Sequence, residues 1–259
     1  MPTIEIRTIT SKEADAFLRL LCDVFDLDFS RARSVFFKEP MFDLGRKWAL
    51  FADGEMVTIL TTTPLVFGWG RAFGIAGVAT KKQYQRRGYA QRLIETVTEH
   101  ATKRGETGAM LFAHSESLYR RAGFETIDEV VRGPIVADMV HEPPDPIPYE
   151  QIKPIYASWS DEDPARLRRD ERRWNYWRWI LRTCEIAPGG YVCVEPSLCR
   201  EAIVTPGLSE WPVMPGSSWL GLESLTKSIG VPLHSSEHDL FVMARGMPVQ
   251  PQMFMTDQF

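Results

Sequence analysis

The fourteen residues GVATKKQYQRRGYA, from Gly77 to Ala90, constrain the fold more than any other part of the chain. An apolar run of strand character gives way to a basic turn that contains a glycine, and a helical pattern starts at once. Ala90, Leu93, Ile94, Val97 and Ala101 fall on one helical face, and Gly105 is placed to end the helix. A strand–turn–helix joint of this kind leaves backbone N–H groups free at the helix start, where the helix dipole adds positive potential. It is a seat for a pyrophosphate. Gly88 lets the backbone approach the anion with no Cβ in the way, and Arg86 and Arg87 add charge. The spacing of Gly68, Gly70 and Gly74 is wrong for a Gly-x-Gly-x-x-Gly dinucleotide fingerprint, which excludes a Rossmann oxidoreductase.

Ile4, Ile6 and Ile9 alternate with polar residues and predict a first strand over 3–9. Thr10 and Glu13 form a capping-box pair ahead of Ala14, Phe17, Leu18, Leu21 and Phe25 at helical spacing. A second short helix is expected over 30–38, before Pro40. Strands over 48–52 and 56–67 meet at Asp53-Gly54, a two-residue hairpin signal. Strands over 73–79 and 108–113 flank the helix after Gly88. A short helix over 115–121 then leads into an extended segment at 124–135. The order is α/β (α+β) with a mixed sheet.

Pro143, Pro144, Pro146 and Pro148 cannot continue a helix or a central strand. They predict a linker over 141–149, between a first domain over 1–140 and a second α/β domain with a C-terminal tail over 150–259. Helices over 149–157, 164–182 and 220–229 are expected there, with strands near 191–195, 201–205 and 239–244. The helix over 164–182 mixes seven arginines, from Arg166 to Arg182, with Trp174, Trp177 and Trp179. Rings and cations together suit single-stranded nucleic acid, but Asp161, Glu162, Asp163, Asp170 and Glu171 stand beside the arginines and are expected to pair with them along the helix. With a net charge of −4, nothing in the whole chain calls for a nucleic-acid partner.

Cys22, Cys184, Cys193 and Cys199 form no CxxC pair and are expected as buried free thiols, and the five histidines form no metal set. No window approaches the about 18 apolar residues that span a bilayer. The first ten residues lack the apolar core of a signal peptide, so a cytoplasmic location with no membrane partner is expected.

Gln85, Gly88 and Ala90 give the pattern Gln-x-x-Gly-x-Ala, and Leu118-Tyr-Arg-Arg-Ala-Gly-Phe124 follows thirty residues later. Together they resemble the coenzyme A signature and the second signature of the GNAT acyltransferase superfamily, over residues 1 to about 137. The resemblance implies a GNAT fold with a mixed, splayed central sheet. It implies a site for acetyl-CoA at Val78, Ala79, Thr80, Gln85, Arg86, Arg87, Gly88, Tyr89 and Ala90. In the family the strand before the loop is bulged and pairs with the pantetheine arm, and an amide near the bulge, by position that of Val78, polarises the thioester carbonyl. Tyr119 would protonate the departing thiolate, and Lys81 or Lys82 would reach the 3′-phosphate.

Two features depart from the family pattern. The chain's single Asn is Asn175, far from the second motif, and residues 73–80 carry no acidic base. The proton acceptor is therefore water, a carboxylate from elsewhere, or none. The proline-rich linker, the Arg/Trp-rich helix and the second α/β part, which resembles a degenerate GNAT half, are similar to Eis-like multidomain acetyltransferases. In that group the terminal carboxylate acts as base, which brings in Phe259 or Asp257. The function implied is N-acetyl transfer from acetyl-CoA to a primary amine by direct attack in a ternary complex, with no metal. The missing strand carboxylate leaves a second class open, a GNAT-derived acyl-CoA sensor or regulatory module with little turnover. The amine-bearing acceptor can be a small molecule, a peptide or a protein.

Overall fold

The computed structural model describes residues 2–137, 145–180, 183–208 and 210–259. It opens with β1 (Ile4–Thr8), α1 (Ala14–Phe25) and α2 (Phe29–Phe36). The capping box forms as the sequence predicts, with the Thr10 N–H donating to the Glu13 carboxylate at 2.7 Å. Arg7 closes on the same carboxylate at 2.8 Å and is the main reason why the Glu13 carboxyl is pulled down to about 2. β2 (Lys47–Ala52) and β3 (Glu55–Phe67) join through Asp53 and Gly54, both at positive φ (50° and 81°), as a tight two-residue hairpin requires. β4 (Gly70–Thr80), α3 (Tyr89–Lys103), β5 (Gly108–Ala113), α4 (Ser117–Arg121) and β6 (Glu125–Pro134) follow.

The rest of the chain supplies α5 (Tyr149–Asp161), β7 (Leu167–Arg168), α6 (Glu171–Ile180), β8 (Glu185–Ala187), β9 (Gly190–Val194), β10 (Leu198–Ile203), β11 (Ser218–Leu222), α7 (Glu223–Ile229) and β12 (Glu237–Arg245). Two of the expected helices come out shorter. Within 164–182, Leu167 and Arg168 pair with β3 instead, and only α6 is helical; Arg182 lies outside the described residues. Of the helix expected over 220–229, Leu220, Gly221 and Leu222 belong instead to strand β11, held between β6 and β10. A continuous apolar run reads the same for a central strand as for a buried helix. Residues 138–144, which include the first part of the expected linker with Pro143 and Pro144, lie outside the described residues. Ile147 beyond them donates its N–H to the Cys184 carbonyl at 2.9 Å.

Among the described residues the sheet order is β1-β2-β3-β4-β5-β12-β6-β11-β10-β9-β8, with β7 beside β3. β12, from the end of the chain, lies between β5 and β6 and is antiparallel to both. The two stretches of sequence on either side of the prolines thus contribute to one sheet. The β8–β9 hairpin also brings Cys184 and Cys193 to a Cα separation of 4.3 Å as a disulfide. This corrects the expectation of four free thiols; Cys22 and Cys199 are free and buried.

α3 packs on the sheet through Leu93, Ile94 and Val97, and α1 through Phe17 and Leu20. The largest cluster gathers Tyr156, Trp159, Trp174 and Trp177 of α5 and α6 around the tail residues Met253, Phe254 and Met255. Arg166, Arg168, Arg169, Arg172 and Arg173 all have partners within the fold, and not only local ones. Arg166 does pair with Glu162 at 2.9 Å, and Arg168 with Asp161 at 3.1 Å. Arg169, whose side chain is fully buried, instead reaches Glu201 and Asp257 at 2.6 Å each and stacks under the Tyr156 ring at 3.8 Å. Arg172 donates to the carbonyls of Pro40 and Phe42, and Arg173 to those of Pro64 and Asp257.

Breaking a buried ion pair from one side leaves an uncompensated charge in a dry interior. Arg169→Met is therefore expected to cost about 3–5 kcal/mol in urea unfolding at pH 7. Burial pushes the Glu201 carboxyl up, but Arg169 and the hydroxyls of Thr256 and Tyr191 hold it below the usual carboxylate value. A group depressed in the folded state stabilises the fold above its unfolded pKa, and that contribution fades as pH falls. The deficit of the variant should therefore narrow below about pH 4.

Candidate active site

The loop before α3 has the geometry of an anion seat. Gly88 is the N-cap at φ 78°, no side chain caps the helix, and no acidic residue stands in its first turn. Arg86 is also left-handed, at φ 61°, which is uncommon for a residue with a Cβ. A Cβ on Gly88 would meet no atom within 4 Å, so the glycine serves its backbone angle and the space above it is open. The Gln85 side-chain amide donates to the Thr80 carbonyl at 3.2 Å and ties the loop to the end of β4. Arg87 lies over the Tyr84 ring, whose hydroxyl donates to Glu55 at 2.7 Å. Lys81 is held by the same Glu55, also at 2.7 Å.

β4 is bulged just before this loop. Ile59 of β3 pairs with Ala79 and Thr61 pairs with Ala76, so Gly77 and Val78 together oppose Leu60. Gly77 takes the left-handed conformation, φ 59°, that such a bulge needs in its first residue. β4 pairs in parallel with β5 from Ala72 with Gly108 up to Ile75 with Leu111, and there the pairing stops. Bulge and splay coincide.

Two cavities meet at this point. One, of about 540 Å³, is lined by Val78, Thr80, Gln85, Arg86, Gly88 and Ala90. Tyr89 belongs to it too, and Leu118 and Arg121 complete it from α4. Its lining carries two guanidinium groups and no carboxylate side chain. The other, of about 450 Å³, opens between the parted strands against Gly77, Val78, Phe112, Leu118 and Tyr119. Val78 and Leu118 border both.

Tyr119 is set in place by the residues after it. Gly123, at φ 81°, ends α4, and the Phe124 N–H donates to the Tyr119 carbonyl at 3.0 Å. Phe124 then enters the core with its ring edge-on to Tyr119. Burial raises the Tyr119 phenol above its usual value, so it is protonated at neutral pH and can act only as a proton donor there.

The tail reaches the second cavity from the far half of the sequence. Thr256 and Asp257 are tied to Arg169, Tyr176 donates to the Gln258 carbonyl at 3.3 Å, and Phe259 lines the cavity. The Phe259 ring occupies the space that a Cβ on Gly74 would need and lies 5.4 Å from the Phe112 ring. Asp257, fully buried in its ion pair, is removed as a candidate base.

Val78, Thr80, Gln85, Arg86, Gly88, Tyr89 and Ala90 thus come together, whereas Ala79 points its side chain into the core and Arg87 lies outside the cavity lining. Lys82 borders a third cavity, which shares Val24 and Gln85 with the first. Sequence reasoning missed Arg121, two residues past the motif tyrosine. It also missed Phe25, Phe112 and Leu240 in the second cavity. Phe25 keeps the helical spacing of the apolar residues of α1 but is 48% exposed at its end.

Residues 5–127 match the family model of the acetyltransferase (GNAT) domain. No curated protein matches the chain. The fold is similar to that of a GCN5-related N-acetyltransferase from Kribbella flavida, with a TM-score of 0.70 at 15% identity, covering 94% of this chain and 71% of that one. A GCN5-related N-acetyltransferase from Anabaena variabilis gives 0.69 at 15% identity, over 94% and 73%. Eis1 from Mycobacterium abscessus gives 0.60 at 14%, over 93% and 73%. At these identities the likeness is one of fold.

A methyl group at position 74 must compete with the Phe259 ring. Gly74→Ala should therefore cost about 1–3 kcal/mol in urea unfolding. In a Phe259→Ala background the same change should cost less than about 0.5 kcal/mol. Equal penalties in both backgrounds would mean that the ring sits elsewhere.

Proposed function

From a chain whose residues 5–127 match the model of the GNAT acetyltransferase domain, we propose an N-acetyltransferase that moves an acetyl group from acetyl-CoA to a primary amine within a ternary complex. The observation that carries this reading is the meeting of the two cavities at Val78, one with an uncapped helix start and the other with Tyr119. In this reading the amides from Arg86 to Ala90 hold the pyrophosphate, with charge from Arg86 and Arg121. Lys82 is left for the 3′-phosphate, since Lys81 is engaged by Glu55. The backbone of Val78, Ala79 and Thr80 guides the pantetheine arm, and the bulge turns the Val78 N–H towards the thioester oxygen, where negative charge develops.

The amine nitrogen bonds to the carbonyl carbon and the C–S bond breaks. Tyr119 gives its proton to the departing thiolate. The main-chain carboxylate of Phe259 takes the proton from the amine. Arg169, Arg173 and Tyr176 act through the tail by holding its last residues at the cavity. A second reading, an acyl-CoA sensor with little turnover, is favoured by one observation: no side chain lining the second cavity is a carboxylate.

Calorimetry with acetyl-CoA tests the shared part of the two readings. Wild type should bind and Gly88→Glu, which puts a carboxylate at the phosphate seat, should not; binding to both or to neither would overturn the assignment of the loop. Tyr119→Phe separates the two readings. A transferase should lose about 100-fold in kcat while keeping its acetyl-CoA affinity, whereas a sensor's slight turnover should be unchanged.

A further inference from the structure

Resting on the transferase reading, we propose that the acceptor is a small-molecule monoamine carried on an aromatic or bulky apolar body, and not a polyamine. The second cavity is walled by Phe25, Phe112, Leu118, Leu240 and Phe259, and none of its lining residues is Asp or Glu. Glu116, close in sequence to the lining residues His114 and Tyr119, is already held by Arg120 and Thr126. Each further ammonium of a polyamine would give up its hydration against these walls with no side-chain carboxylate to replace it. An apolar body instead buries surface there, and aromatic faces tolerate the single ammonium that precedes deprotonation.

The mouth has the same chemistry. Val24, Phe25 and Leu27 at the end of α1 are 38%, 48% and 51% exposed, and Phe25 lines the cavity itself. Phe25 thus offers an exposed apolar face to the second cavity, and Val24 beside it borders the first. The volume of about 450 Å³ is close to three times the ~150 Å³ that holds one benzene. It suits one ring on a short alkyl arm beside the acetyl end of the donor. It is small for a folded protein's lysine approached together with its neighbours.

The test uses the full chain with acetyl-CoA and follows thiol release with 2-phenylethylamine, n-butylamine, spermidine and a peptide with a free N-terminal Phe. kcat/KM is expected to be at least tenfold higher for 2-phenylethylamine than for spermidine or n-butylamine. Phe25→Glu should raise KM for 2-phenylethylamine at least tenfold and narrow its lead over spermidine. Acetyl-CoA affinity is measured on the same samples. Preference for spermidine overturns the proposal, and so does a peptide used as well as 2-phenylethylamine. If octanoyl-CoA with n-butylamine outperforms acetyl-CoA with 2-phenylethylamine, the apolar walls belong to the acyl chain and the acceptor assignment falls. In these three outcomes acetyl transfer itself stands. Acetyl-CoA binding without thiol release to any amine, or no binding, overturns the transferase reading and this proposal with it.

Discussion

Arg169 faces two carboxylates beneath the protein surface. Its side chain and those of Glu201 and Asp257 are fully buried, so the cost of desolvating three charged groups is met only if all of them stay in register. That requirement fixes the tail. Asp257 cannot leave without stranding Arg169, and Phe259 lies two residues further on. Glu201 sits on β10 and Arg169 between β7 and α6, so the cluster also binds the late strands to the Trp-rich helices. The wall of a cavity beside β4 is thus held by an ion pair rooted in another part of the sheet.

The second determinant is the coincidence of bulge and splay on β4. A left-handed Gly77 turns the strand where its pairing with β5 ends, so the backbone of Val78 is released from the sheet on the side facing the gap. β12 then fills the position beyond β5 and keeps that strand paired along its other edge. A gap held open in this way exposes backbone groups without loss of the sheet's order. The loop from Gln85 to Gly88 follows within a few residues, so the proposed phosphate seat and the proposed place for reacting atoms lie on one continuous segment.

Much of this was legible in the residues. The capping box at Thr10 and Glu13, the Asp53-Gly54 hairpin and the loop ending at Gly88 depend on side chains and φ angles within four residues of one another. Gly123-Phe124 is equally local, since the glycine stops α4 and the ring beside it anchors Tyr119. The extent of the helix expected over 164–182 was not legible, because Leu167 and Arg168 take strand geometry only where β3 is there to pair with them. Cys184 and Cys193, nine residues apart with no motif, become a pair only once the β8–β9 hairpin has formed.

The sequence by itself determined the glycine-containing loop before α3, the tyrosine motif and the α/β class, because each is written in short-range backbone preference and periodicity. Only the tertiary structure decided that β12 lies between β5 and β6, that Arg169 meets Asp257 across 88 positions, and that Phe25 lines a cavity together with Phe259. Those outcomes depend on which distant surfaces close over one another. Apolar and charged residues along a chain state that they need partners, but not which partners the closed fold will bring them.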